Sequence, residues 1–283
     1  MINVRNLKLR VEADDYLGFK KKLKLQGKEL NPMPPELFHL TDLEVLEASP
    51  ERESCLDFSL RDLPRDIGRL TNLRILILDT GSLTMLPAEI GYLIYLERLY
   101  LSNNDLRNLP PEFSKLENIR SLHLANNEFR DFPLEICCLE NLEFLDMTDN
   151  KIKAIPQEIQ LLTKMTSFLF YCNKLRKVPM GLCKLKLLRT LWLGKNKLRK
   201  LPHFFGRLSN LDWGEFYKSA NIDENPLMRP PVEVARQGPA AIRRFFDDRG
   251  KGWDGVNESE DEDEWVPLSD SDDDDNGGVS NFF

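Results

Sequence analysis

Pro64, Pro87, Pro110, Pro133, Pro156, Pro179 and Pro202 are spaced 23 residues apart, and so are Asn104, Asn127, Asn150, Asn173 and Asn196. A fixed interval of this size means that the chain is a stack of one short structural unit. The unit reads L-x-x-L-x-L-x-x-N-x-L-x-x-L-P-x-x-I/L/F-x-x-L-x-x. Its first positions are Leu73, Leu96, Ile119, Leu142, Met165, Leu188 and Leu211. A degenerate unit (Leu43–Asn72) precedes them. Another begins near Lys20 and carries Leu23, Leu25, Leu30, Pro34, Leu37 and Leu40.

The spacing dictates the local structure. The L-x-L pair alternates with variable positions, which is a short strand with a period of two. The asparagine ends the strand, where its amide can satisfy backbone groups at the turn. The proline opens a short helical or extended return segment and needs no amide partner there. One unit cannot bury its leucines alone. Stacking buries them as ladders, at roughly 1.5–3 kcal/mol per leucine before entropy is charged against it. The expected fold is an α/β solenoid, a leucine-rich-repeat horseshoe of about nine units with a parallel concave sheet. Its expected parts are an N-terminal cap over 1–19, repeats over 20–225, a helical cap over 226–249 and a disordered acidic tail over 250–283.

Two units break the period. The unit from Leu43 runs 30 residues, which places a seven-residue insertion in Ser49–Asp57. The last unit keeps Leu211 and Phe216 but delays its Asn-Pro to Asn225–Pro226. Pro230–Phe246 then reads as two short helices, the second opening at Pro239 with Ile242, Phe245 and Phe246 apolar. A solenoid needs such a cap over its open edge. Val4–Val11 is a candidate for the other edge.

The variable positions beside the L-x-L core face the concave surface. The middle column reads Lys24, Glu47, Ile77, Tyr100, His123, Asp146, Leu169, Trp192 and Glu215. The column before it ends in Phe144, Ser167, Thr190 and Trp213, and the column after it in Tyr171, Gly194 and Tyr217. Phe144, Leu169, Tyr171, Trp192, Trp213 and Tyr217 thus gather toward the C-terminal end. Exposed aromatic residues in one patch mark a protein-binding site; partial burial under the long last unit is the competing explanation. Tyr100, His123 and Asp146 form a polar row that extends the site.

Ser121, His123 and Asp146 also have the residue types of a hydrolase triad, but an open face offers no enclosure and no oxyanion hole. Gly250, Gly252 and Gly255 spell G-x-G-x-x-G outside the strand-to-helix setting that a dinucleotide needs. Asp272, Asp274, Asn276 and Gly277 begin like a calcium loop, but the twelfth position is Phe283. His39, His123 and His203 fall in separate units. Catalytic, cofactor and metal sites are therefore all expected to be absent.

Charge is unevenly distributed. Residues 254–283 hold twelve acids and no Lys or Arg, so a chain of net charge −7 has a body of +5 over 1–253. That body is too weakly basic for a nucleic-acid protein, and its lysines read as solvated convex surface. Ser259, Ser269 and Ser271 each have an acid three residues on, which suits an acidophilic kinase. Met1–Asp15 is charged and lacks a signal-peptide core, and no apolar stretch is long enough to span a bilayer. Cys55, Cys137, Cys138, Cys172 and Cys183 match no disulfide cap or zinc spacing. Reduced thiols, a cytoplasmic or nuclear location and a monomeric state are expected.

The L-P-x-E-I segments, in LRNLPPEFSKLENIRSLHLANN and IKAIPQEIQLLTKM, resemble the intracellular Ras-group leucine-rich-repeat proteins, the class of the Ras suppressor protein, Scribble and Erbin. The resemblance covers roughly residues 20–225, and the ending NLDWGEFYKSANIDENPLMRPPVEVARQGPAAIRRFF is similar to that class's cap. It implies a non-enzymatic scaffold in signalling that binds a protein on its concave face. The rival expectations are a regulatory subunit of an enzyme such as a phosphatase, and an acidic-tailed nuclear chaperone.

Overall fold

Each unit contributes one short strand and one tight return turn. In the computed structural model, residues 10–14, 18–25, 30, 32–49, 60–211 and 220–250 are described. The strands are β1 (Glu12–Asp14), β2 (Phe19–Lys24), β3 (Val45–Glu47), β4 (Ile75–Ile77), β5 (Arg98–Tyr100), β6 (Ser121–His123), β7 (Phe144–Asp146), β8 (Ser167–Leu169), β9 (Thr190–Trp192) and β10 (Ala220–Asn221). They form one sheet in chain order. β2 to β10 run parallel, and β1 lies antiparallel on β2. Of the Val4–Val11 segment, only Arg10 and Val11 are described. Arg10 Nη2 donates to Lys24 O at 2.7 Å, and Val11 packs against the core.

The register aligns Leu46, Leu76, Leu99, Leu122, Leu145, Phe168 and Leu191 in one buried column. After Pro64, Pro87, Pro110, Pro133, Pro156 and Pro202 the chain makes a five-residue 3₁₀ helix, as in Arg65–Arg69 and Ala88–Tyr92. Each of these prolines is extended, which presets the entry, and its carbonyl accepts the first turn's hydrogen bond, as Ile67 N does to Pro64 O at 3.0 Å.

The asparagines join the units. Asn150 Nδ2 donates to Leu124 O at 2.9 Å and Met147 O at 3.1 Å, and its Oδ1 accepts from Phe129 N at 3.2 Å. Asn104, Asn127, Asn173 and Asn196 are buried in the same way. The residue before each is left-handed, at φ 51–57° in Asn103, Asn126, Asp149, Cys172 and Lys195. Such a turn favours Asn and Asp, which supply three of these five positions.

The asparagine also sets the frame of the last unit. Leu198 N donates to Asn225 Oδ1 and Asn225 Nδ2 to Leu193 O, at 3.0 and 2.8 Å. Asn225 is therefore the sixth member of the ladder, 29 residues after Asn196. The strand moves with it: Asn221 pairs with Trp192. This corrects the sheet columns expected from Leu211, since Asn221 and not Glu215 follows Trp192. Trp213 and Tyr217 lie outside the described residues. The 30-residue unit behaves likewise. Leu60 O accepts from Ser82 N, as Leu83 O does from Asp105 N, so its extra residues fall between Ala48 and Leu60. At the C-terminal edge, α1 (Val232–Ala235) and α2 (Pro239–Gly250) bury Ala235, Ile242 and Phe246.

A column of mostly small residues lines the return side: Gly68, Gly91, Ser114, Cys137, Cys183 and Gly206 occupy one repeat position. A Cβ on Gly206 would come within 2.7 Å of Arg243 Cβ, and one on Gly68 within 2.9 Å of the Glu89 carbonyl oxygen. Cys137 and Cys183 are buried here as small packing residues, and burial pushes both thiols up to about 12. Cys138, next in sequence, is exposed. An alkylating reagent near pH 8 should therefore label Cys138 in the native protein and spare Cys137 and Cys183 until the chain unfolds. Peptide mass spectrometry reads this directly, and rapid native labelling of Cys183 would contradict the packing.

Candidate functional site

The concave face carries two side-chain columns that flank the buried one. Tyr100, His123, Asp146, Leu169 and Trp192 align across β5 to β9 as the pairing requires. Phe144 stands in the other column, between Ser121 and Ser167. The two columns meet at His123. Its ring stacks on Tyr100 at 4.3 Å between centroids and on Phe144 at 4.7 Å. Burial between these rings lowers the His123 pKa; Asp146 opposes the shift and Arg98 adds to it. The imidazole is thus held neutral near pH 7 and serves as the centre of a three-ring stack.

The triad-like trio resolves into ordinary contacts. Ser121 Oγ lies 2.9 Å from His123 Nε2, and Asp146 Oδ1 accepts from the Thr148 amide at 2.9 Å. Asp146 reaches His123 only as a nearby charge. What this arrangement offers a ligand is a half-buried aromatic surface with a polar rim.

Leu169 is half-buried and Trp192 is 38% exposed, one strand apart. Tyr171 is drawn to the rim, where its hydroxyl donates to Glu224 Oε1 at 2.9 Å. That hydrogen bond is the main reason its pKa is raised. The structure therefore brings Tyr100, His123 and Phe144 into one stack with Asp146 beside it, sets Leu169 and Trp192 farther along the sheet, and ties Tyr171 to the last turn. Ser259, Ser269, Ser271 and the glycine-rich and acidic motifs beyond Gly250 lie outside the described residues.

The N-terminal end of the face differs from expectation. Val45 and Ile75 occupy the Phe144 column yet are buried, at 1% and 2% exposure, so the wet apolar surface begins at Ile77 and Tyr100. Lys24 and Lys22 pair with Glu47 at 2.9 and 3.5 Å.

Two ladders escaped the sequence reasoning. Arg74–Glu97 and Arg120–Glu143 pair across neighbouring units at 2.7 and 3.3 Å. Asn72, Asn118, Asn141 and Asn210 donate to Thr41 O, Ile94 O, Glu117 O and Lys186 O at 2.6–2.8 Å. The signal for the second was present: an asparagine stands immediately before Leu73, Ile119, Leu142 and Leu211.

Asp79 sits at the same rim position as Tyr171. Burial raises its pKa to about 6 although the Ser102 amide, at 2.6 Å, favours the carboxylate. A carboxyl whose folded pKa exceeds its unfolded value is tolerated best when protonated. Stability should therefore fall as pH rises from about 4 to about 6. Asp79→Asn keeps an acceptor for Ser102 and removes the charge, so it should stabilise the protein by about 1 kcal/mol at pH 7 and hardly at all at pH 4. Urea titrations at the two pH values measure this.

Two family models match the chain, one described as a leucine-rich repeat region over residues 112–212 and one as leucine rich repeat over 71–129. The chain is a leucine-rich-repeat protein. Among solved structures, this leucine-rich-repeat solenoid is similar to a leucine-rich-repeat protein of Leptospira interrogans, with 31% identity and a TM-score of 0.67 over 81% of this chain and 56% of that one. It is also similar in fold to the plant peptide hormone receptor RGFR1 in complex with RGF2, with 23% identity and a TM-score of 0.60 over 79% of this chain and 34% of that one. Internalin C2 of Listeria monocytogenes shares the fold at 22% identity, with a TM-score of 0.54 over 62% of this chain and 72% of that one. The chain thus spans about half the length of the first of these and a third of the receptor. No curated protein sequence matches it. Leucine-rich-repeat proteins are typically non-enzymatic binding modules, and the fold is commonly a protein-interaction scaffold.

Proposed function

We propose that this protein is a non-enzymatic adaptor that holds a protein partner on its concave face, working in the cytoplasm or nucleus as a monomer within Ras-type signalling. The observation that carries the binding-site reading is the Tyr100–His123–Phe144 stack, continued by Leu169 and Trp192 along one open, rigid sheet. Rings held in place by packing lose little entropy when a partner covers them, which favours them as anchors. The Ras-group reading rests on the L-P-x-E-I segments. The plant receptor, seen with its peptide, supports a peptide-binding role by analogy of fold alone.

Affinity capture with mass spectrometry tests this, using wild type against Tyr100→Ala/Trp192→Ala. A partner retained by wild type and lost from the folded double variant supports the site. Equal retention by both places the partner elsewhere. A captured enzyme whose activity changes on binding would favour the regulatory-subunit role instead.

A further inference from the structure

The repeats differ in charge from one end to the other. Residues 1–159 hold 20 Lys and Arg against 27 Asp and Glu, a net of −7; residues 160–250 hold 18 against 7, a net of +11. Much of that excess falls at two repeat positions just after the asparagine. There Lys153, Arg176, Lys177, Arg199 and Lys200 are exposed, and Arg229 ends the series half-buried. The backbone sets these rows side by side. Arg176 N donates to Lys153 O at 3.4 Å, Lys197 N to Leu175 O at 2.9 Å, and Lys200 bridges in parallel to Arg229. The first of these positions is basic in the two preceding units as well, at Arg107 and Arg130, but the second holds Asn108, Asp131 and then Ala154, so the stripe becomes two residues wide only from the unit of Met165. At its edge Lys151 pairs with Glu128 at 2.5 Å. Nearby acids are engaged: Arg236 Nε donates to Asp223 Oδ1 at 2.8 Å, and Tyr171 holds Glu224.

We infer that this stripe is a second docking surface, separate from the concave columns, for an acidic polypeptide segment. From Arg176 to Arg229 the dense part of the stripe covers two row spacings of ~4.8 Å, roughly 10 Å, the reach of about three extended residues. Its length suits a short carboxylate-bearing segment. A nucleic-acid duplex or an anionic membrane extends well past it and meets the acidic first half of the solenoid within a screening length of about 8 Å. The rows themselves carry no aromatic ring on which a base could stack.

The test is binding of a fluorescein-labelled oligoglutamate peptide to the full chain and to Arg176→Glu/Lys177→Glu/Arg199→Glu/Lys200→Glu. Both proteins carry the same residues 254–283, so any contribution of that segment is common to both. Wild type should bind at low salt and weaken at least tenfold by ~0.5 M, where screening acts within about 4 Å. The reversal should lose at least tenfold at low salt and lose the salt dependence, and the Gln version of the same four positions should fall between. Tyr100→Ala/Trp192→Ala should bind the peptide as wild type does, which separates this surface from the concave site. Carbodiimide cross-links should map to Lys177 and Lys200. Equal binding by wild type and reversal, cross-links confined to other lysines, or tighter binding of a DNA duplex or of phosphatidylserine vesicles at the same salt would each overturn the proposal.

Discussion

Asn150→Leu should lower the unfolding free energy by about 3–5 kcal/mol, because it strands several buried backbone groups at once. Leu124 O and Met147 O lose their donor, and Phe129 N loses its acceptor. The side chain is 6% exposed, so water has little access to replace these bonds. Each orphaned group costs roughly 1–3 kcal/mol, and the low local dielectric keeps the sum high. Asn150→Asp is nearly isosteric and can still accept from Phe129 N, but it presents oxygen to two carbonyls and should be no better. The exposed ladder gives the contrast. Asn141 makes one bond, to Glu117 O at 2.8 Å, at the surface, and Asn141→Ala should cost about 1 kcal/mol. Urea unfolding decides the matter. Equal midpoints for the Asn150 and Asn141 variants would show that the inner ladder is not what joins the units. In a solenoid each unit touches only its neighbours, so the break at Asn150 should also divide the transition into two steps.

The repeat made most of this fold legible before any coordinates. Periodicity named the buried column from Leu99 to Leu191 because each of those residues sits in a frame fixed by a proline and an asparagine at constant offset. The same logic failed where the frame was read from the wrong marker. Leu211 keeps the 23-residue phase, yet the strand follows Asn225, because a buried amide that must bond two units outweighs one leucine that can be buried in several registers. Other features had no local signal. The Tyr171–Glu224 hydrogen bond joins residues 53 apart, and the stacking of His123 on Phe144 depends on a diagonal between columns that a list of columns hides. The burial of Val45 and Ile75 is likewise a tertiary fact, since their sequence position matches that of exposed Arg98. The basic stripe lies between these cases: every residue of it was visible, but adjacency across units, and so its density, came only with the register.

Trp192→Ala should weaken the concave-face partner by about 2–4 kcal/mol, some thirty- to several hundredfold, with the fold intact. Trp192 is 38% exposed and contributes little to the core, so truncation removes contact area and leaves no internal cavity. Tyr100→Ala should cost less, about 1–2 kcal/mol, because its ring already stacks on His123 in the free protein. The pair carries more information than either variant alone. Four strand spacings of ~4.8 Å put Tyr100 and Trp192 roughly 19 Å apart, beyond the distance at which side chains couple directly. A partner that spans the face must feel both losses, and they should add to within about 0.5 kcal/mol. A partner seated on the C-terminal end should respond to Trp192→Ala alone, and one seated on the ring stack to Tyr100→Ala alone. Isothermal titration of the two single variants and the double variant distinguishes the three footprints. If neither variant changes the affinity, the aromatic columns are surface of the solenoid and the partner binds on another face.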